Sequence, residues 1–281
     1  MRLRFVCITL AAIALGRPAA AQQRPLVTED PESIGAGRVL LEGGIDYAHD
    51  QQYPVSGLRG NLWRIPTLGV SVGISSIAEL QIDGGLYNRL TITSRQDAPL
   101  SNQLDFSGDQ THAVEDIVVA TKIRLLSETP GRPAFGVRFA TRLPNASNES
   151  GLGLDTTDFF VSALFGKTVQ SIRFVGNAGL GILADPVRGD RQNDVLTYGM
   201  SVARAVRQGL EVVGEVNGRL DTRDGDPPVG LESRGALRIG GRFTKSTVRI
   251  DGGLIVGITS RDTSIGFTAG LTWVFKGFTI P

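Results

Sequence analysis

After Gln22 the chain alternates apolar and polar residues at every second position, in segments of about ten, and helical periodicity is nearly absent. In the first such segment Val39, Leu41, Gly43, Ile45 and Tyr47 share one face, while Leu40, Glu42, Gly44 and Asp46 share the other. The pattern returns at 80–86, 117–125, 135–139, 172–182, 210–218, 237–243, 248–258 and 265–275, and less cleanly at 66–75, 157–166 and 195–205. Twelve strands are predicted, with ten and fourteen as the neighbouring alternatives. The segments between them alternate in length. Long connections (His49 to Arg59, Thr93 to Glu115, Leu143 to Thr156, Ala184 to Asp194, Asp221 to Glu232) are interleaved with short ones (Ser75-Ser76, Ser127 to Pro133, Lys167 to Ser171, Val206 to Gly209, Thr244 to Ser246). Only the last, Ser260 to Thr263, is brief where a long one is due. A sandwich has no reason to sort its loops by parity, whereas a membrane barrel places short turns in the periplasm and longer loops outside. The expected fold is therefore all-β: a single antiparallel transmembrane β-barrel of about twelve strands.

Aromatic positions follow the same polarity. Phe135, Phe165, Phe174, Phe243, Trp273 and Phe275 fall near periplasmic strand ends, and Tyr47, Tyr198 and Phe267 near outer ends. Two aromatic girdles around an aliphatic band suit the two membrane interfaces. A soluble sandwich with aromatics at its strand ends is the alternative. Its core would have to be built from faces rich in glycine.

Residues 1–21 read as a leader. Met1 to Arg4 is basic, Phe5 to Leu15 is apolar, Gly16-Arg17-Pro18 breaks the run, and Ala19-Ala20-Ala21 offers small residues for cleavage between Ala21 and Gln22. The organisation expected is a signal peptide over 1–21, an N-terminal periplasmic segment over 22–37, and the barrel over 38–281. No later stretch reaches the 18 or so apolar residues of a membrane helix. The chain is thus expected in the outer membrane, in contact with its lipid and delivered by the barrel insertion machinery.

Composition narrows the partners. The formal charge is +1, and three of the arginines belong to the leader, so no polybasic surface for nucleic acid remains. The sole cysteine, Cys7, also lies in the leader, which excludes disulfides, thiolate metal sites and a cysteine nucleophile downstream. Glycine supplies 36 of 281 residues, nearly twice an average usage of about 7%. Gly44, Gly85, Gly136, Gly179, Gly181, Gly240, Gly253 and Gly257 fall on the charged face and leave room along it.

That charged face supplies the candidate lumen-lining residues. Acids lead on the first three strands (Glu42, Asp46, Glu79, Asp83) and on the ninth (Glu211, Glu215). Bases lead on the fourth, fifth, seventh, tenth and eleventh strands: Lys122, Arg124, Arg138, Arg142, Arg173, Arg234, Arg238, Arg242 and Arg249. They make either a pore wall that selects polar or anionic solutes or cross-strand ion pairs. The dominance of arginine over lysine favours pairing, because its planar fork holds a carboxylate at two points.

Catalysis finds little support. His49 and His112, the only histidines, fall in expected outer loops rather than beside a serine on a strand face, and no enzyme is predicted. Asp221, Asp224 and Asp226 share one loop, but their spacing is not that of an EF-hand, so a solvated acidic loop is favoured over a Ca²⁺ site. Gly35-Ala36-Gly37 and Gly151-Leu152-Gly153 lack a strand–turn–helix setting and read as turns. No cofactor is expected.

Two resemblances add to this reading. Thr268, Gly270, Trp273 and Phe275 resemble the outer-membrane assembly signal, although six residues follow where that signal commonly ends. The mature chain is also similar to the transporter family named for the meta pathway of phenol degradation. The similarity rests on Asp30-Pro31-Glu32, Gly35-Ala36-Gly37 and Glu42, on Asp116 with Lys122 and Arg124, and on Arg142-Leu143-Pro144. Ala146 stands where that family has glycine. The resemblance implies an outer-membrane barrel that passes small organic molecules, aromatic ones included. A non-conducting structural or surface-binding barrel and a secreted soluble β protein are the competing functional readings.

Overall fold

In the computed structural model, residues 24–279 are described; the leader and its junction at Ala21 and Gln22 lie outside them. The strands in chain order are β1 (Arg38–Tyr53), β2 (Leu58–Gly73), β3 (Ala78–Gly85), β4 (Asn88–Arg95), β5 (Gln110–Ala113), β6 (Ile117–Leu126) and β7 (Ala134–Leu143). Then follow β8 (Asp158–Val169), β9 (Ile172–Ala184), β10 (Gln192–Arg207), β11 (Leu210–Asp221), β12 (Arg234–Lys245), β13 (Val248–Gly257) and β14 (Ile265–Lys276). All pairings between these strands are antiparallel, and β1 pairs with both β2 and β14, which closes the barrel. β3 and β4 both lie along β2, as successive halves of one strand broken at 86–87. β5 and β6 likewise continue one another along β4 and β3. The wall therefore holds twelve strands, as the alternation predicts.

Inside and outside are inverted relative to a soluble protein. Ile82, Phe139, Phe159, Leu180, Ile239 and Leu254 project outward and are exposed, as a hydrocarbon environment requires. Lys122, Glu79 and Asp158 point inward and are fully enclosed. Rings pair on the outer surface: Phe135 with Phe165 at 5.0 Å, Trp273 with Phe275 at 4.3 Å, and Tyr47 with Trp63 at 4.8 Å and with Phe267 at 5.4 Å. This is a membrane-spanning barrel of the outer-membrane type, held closed because every backbone group in the wall must find its partner within the sheet.

Three expectations need correction. The connection from His49 to Arg59 is not a loop. β1 and β2 are 16 residues each, longer than the 9–11 or so that span a bilayer, and they run on together to a four-residue turn at 54–57. The Thr93 to Glu115 stretch is also partly ordered, containing the end of β4 and all of β5. His49 and His112 accordingly sit on strands, on β1 and β5, rather than in loops. The physical reason is a change of face. One residue of β1, Ile45, stands opposite Ile65-Pro66 of β2, and this bulge shifts the register. Beyond it the sheet is bathed in water outside, so its apolar residues turn inward: Leu58, Leu62, Leu90 and Ile92 form a core with Tyr53, Leu104, Phe106 and Leu152. The tip of this hairpin folds across the outer mouth. Val55 is buried there, and Ser56 Oγ donates to the Gly151 carbonyl at 2.7 Å.

Candidate functional site

The lumen is not empty. Residues 24–37 enter at the periplasmic end, where the Gly37 N–H donates to the Gly73 carbonyl at 2.8 Å, and climb inside the barrel to mid-height. This segment has no regular structure, so side chains of the wall take up its backbone. Asn177 accepts from the Glu29 N–H at 2.7 Å and donates to the Glu29 carbonyl at 2.8 Å. Glu215 accepts from the Val27 N–H at 2.9 Å and also from the Thr28 N–H and hydroxyl. Glu79 accepts from the Ile34 N–H at 2.8 Å.

Charges on the segment complement those of the wall. Its acids face the strands where bases lead. Glu29 stands 3.2 Å from both Lys122 and Arg138, Asp30 binds Arg173 at 2.7 Å, and Glu32 pairs with Arg124. Its one described base, Arg24, faces the acidic strands instead, 3.8 Å from Asp46 and 3.6 Å from Asp251, and donates to Thr268 Oγ1 at 2.8 Å. The bases of the fourth, fifth and seventh strands are thus answered in part by the segment, and not by neighbouring strands alone.

The remaining predicted lumen residues pair across strands. Glu79 lies opposite Lys122, at 3.0 Å. Glu211 lies opposite Arg242, at 2.6 Å, and 3.9 Å from Arg249. Glu215 lies opposite Arg238, at 3.8 Å, and Asp83 reaches Arg138 at the same distance. Glu42 accepts from Thr272 at 3.0 Å. Arg142 pairs with Asp158 and stands 3.8 Å from Asp116, while Arg234 donates to the Arg261 carbonyl at 2.9 Å. The predicted lumen set omits Arg24, Glu29, Asp30, Glu32, Arg64, Asp116, Arg219 and Asp251, although Asp30, Glu32 and Asp116 stand among the residues that carry the family resemblance. The signal available was the run of charge in 24–32 ahead of a barrel whose predicted lumen set holds more bases than acids.

Glycines shape the groove in which the segment lies. A Cβ at Gly44 or Gly270 would collide with the Arg24 guanidinium and one at Gly199 with Thr28; one at Gly240 would meet the Gly252 carbonyl first and then press on Pro25, and one at Gly136 or Gly166 would press on Pro31. The room that Gly44, Gly136 and Gly240 leave is therefore occupied, which corrects the expectation of free space at those positions. Small cavities of mixed polar and apolar lining survive beside and above the segment. One of 220 Å³ is bounded by Arg24, Glu42, Asp46, Arg64, Asp83 and Glu115, and one of 190 Å³ lies between Val27 to Glu29 and Phe160. A third, of 160 Å³, lies between Arg64, Arg234 and Arg238, and a fourth, of 230 Å³, fills the outer mouth.

His49 Nδ1 meets Asn61 Oδ1 at 2.8 Å, and the His112 ring lies 5.5 Å from that of Tyr87. Among the described residues no group of three or more acidic, histidine or cysteine side chains is placed to hold a metal. In the acidic loop Asp221 accepts from Asn193 at 2.8 Å.

Fold and lumen together define a transmembrane β-barrel of outer-membrane type, with an N-terminal segment threaded through a charged lumen. Its twelve-strand wall resembles that of an outer membrane channel from Pseudomonas putida F1, with a TM-score of 0.64 at 11% identity, over 88% of this chain and 98% of that one. The NanC porin follows at 0.53 and 10%, covering 84% of this chain and 98% of that one. The translocator domain of the autotransporter NalP from Neisseria meningitidis reaches 0.50 and 13%, covering 86% and 89%. At such identities the likeness is one of fold. No protein-family model and no curated protein matches the sequence.

Proposed function

We propose that this barrel carries small organic molecules across the outer membrane by passive or facilitated diffusion along its N-terminal segment. The observation that carries this reading is the row of cavities of 160–230 Å³ along the lumen, two beside the segment and two above it towards the outer mouth. A purely structural barrel of this size would be expected to fill its interior with packed side chains. Instead, the lumen is divided by a segment held through ion pairs and hydrogen bonds, contacts that exchange with water more readily than apolar packing does. The resemblance to the transporter family of phenol degradation, carried by Asp30-Pro31-Glu32, Lys122 and Arg124, supports the same reading.

Planar-bilayer recording on the purified protein tests it. Small conductance is expected, and it changes when Arg138 or Arg238 becomes Ala, because each substitution alters both width and field in the lumen. Silence of the natural protein and of both variants, together with no solute uptake into proteoliposomes, overturns it. The second reading, a surface-binding barrel, is favoured by the hairpin folded over the outer mouth and would then stand. Export through a cleaved leader belongs to the same proposal: mature protein begins at Gln22, and N-terminal sequencing that returned Met1 would refute it.

A further inference from the structure

At the outer mouth, strands from opposite sides of the barrel bring three guanidinium groups to one cavity of 230 Å³. They are Arg142 at the end of β7, Arg219 at the end of β11 and Arg234 at the start of β12. Arg142 is neutralised by Asp158 and Asp116. The other two are not. Among the described residues neither Arg219 nor Arg234 makes an ion pair; Arg219 is held by the carbonyls of Glu232 at 3.0 Å and Gly230 at 2.8 Å, and Arg234 by that of Arg261. Arg219 also feels the like charges of Arg234 and Arg142, opposed by Glu232 and Asp158. Asp116, the single acid that lines the cavity, is already engaged: its Oδ1 accepts from the N–H groups of Asn145 and Ala146, both at 3.0 Å.

The rest of the lining is mixed: Gln51, Gln52 and Ser56 are polar, and the apolar residues are few. Tyr53 and Val55 from the hairpin tip and Leu152 and Leu154 from the β7–β8 loop supply the apolar part. Two guanidiniums held only by carbonyls, in a cavity that also offers the apolar surface of Tyr53, Val55, Leu152 and Leu154, match a ligand with an anionic end and an apolar body. Planar forks bind carboxylates at two points, and such contacts strengthen where loops exclude water. The volume is below the 300–1,000 Å³ or so of drug-sized sites, which limits the ligand to about one ring.

We propose that this cavity is a binding subsite for small organic carboxylates, with the carboxylate at Arg219 and Arg234 and the apolar body against Tyr53, Val55 and Leu152. It deepens the channel reading by naming a solute class, and depends on that reading only for what happens after binding. Bound at the mouth, the solute stands above the cavity lined by Arg234 and Arg238, the next cationic station towards the segment.

Calorimetry on the full mature protein in detergent decides it, with benzoate as probe and benzamide as its neutral counterpart. Benzoate is expected to bind at least tenfold more tightly than benzamide. The double variant Arg219→Gln/Arg234→Gln loses at least tenfold in benzoate affinity, whereas Arg188→Gln, in the β9–β10 loop outside the cavity, leaves it unchanged. Absence of benzoate binding, equal affinity for benzamide, or full affinity in the double variant each overturns the proposal. Should the double variant fail to fold, the benzoate and benzamide affinities of the natural protein and of the single variant Arg234→Gln decide the question in its place. Benzoate binding to a protein silent in bilayers would keep the subsite and overturn conduction alone.

Discussion

The carboxylate of Glu29 and the ammonium of Lys122 stand 3.2 Å apart, and the lysine side chain is completely enclosed. Glu79 approaches the same ammonium at 3.0 Å from the neighbouring strand, so one buried cation ties the N-terminal segment to two strands of the wall. A lysine so enclosed is stable only while its counter-charges remain.

Replacing Glu29 by Ala removes one of those charges and also the carboxylate nearest to Arg138. Breaking a buried pair costs roughly 3–5 kcal/mol. The segment should loosen while the wall persists: amides of 27–34 exchange faster with deuterium, and the heat needed to shift the folded band on gels falls. Unchanged exchange would mean that Asn177 and Glu215 hold the segment without Glu29.

Leu62 is 1% exposed in the core of the outer hairpin, above the bilayer. Leu62→Ala should cost about 2–5 kcal/mol locally, through lost burial and the cavity left behind. Because that core is separate from the membrane-spanning wall, the variant should still insert and shift on gels, yet be cut by protease added outside the cell. Resistance equal to the natural protein would show that the mouth is held by other contacts.

On the periplasmic side, Glu128 in the β6–β7 turn accepts from the Thr168 N–H at 2.7 Å and stands 2.5 Å from Arg173. Partial burial pushes its pKa up, but the Thr168 hydrogen bonds and the charges of Arg173 and Lys167 outweigh it, holding the carboxyl below its ordinary 4.5. A depressed pKa in the folded state means that the contribution is complete above the unfolded value and disappears as pH falls through the folded one. The turn should therefore be protected at pH 7 and open progressively as pH falls below the ordinary carboxylate value of 4.5, and Glu128→Gln should be open throughout. Protection of the variant at pH 7, followed by proteolysis at 127–133, would contradict this.

Trp273 and Phe275 stack on the outer surface of β14, with ring centroids 4.3 Å apart, while Thr268 and Gly270 of the same strand face Arg24. The outward pair lies on the lipid side, Trp273 exposed and Phe275 half-buried; the inward pair is engaged with the segment. A double Ala change at 273 and 275 should deplete the protein from the outer membrane several-fold by immunoblot. Normal levels would place the assembly signal elsewhere, the residues after Lys276 included.

The strands of the wall were legible one by one, because a barrel side chain has only two environments and alternation reports both. Ile117 to Leu125 illustrates this: its outward residues are apolar and its inward ones include Lys122 and Arg124. The outer extension was not legible, since the bulge at Ile65-Pro66 and the change from lipid to water reverse which face is apolar. Leu58 and Leu62 keep the period of two, and nothing local marks the reversal.

By itself the sequence determined an exterior, a strand count and the sign of each inward charge, because these depend on residues two apart along the chain. Tertiary structure alone decided what those charges meet. Glu29 and Lys122 are separated by 93 positions, Arg219 and Arg234 meet Arg142 across the width of the mouth, and Gly44 makes room for Arg24 rather than for solute. Such pairings follow from closure of the barrel around its own N-terminal segment, an event set by long-range geometry that local periodicity does not encode.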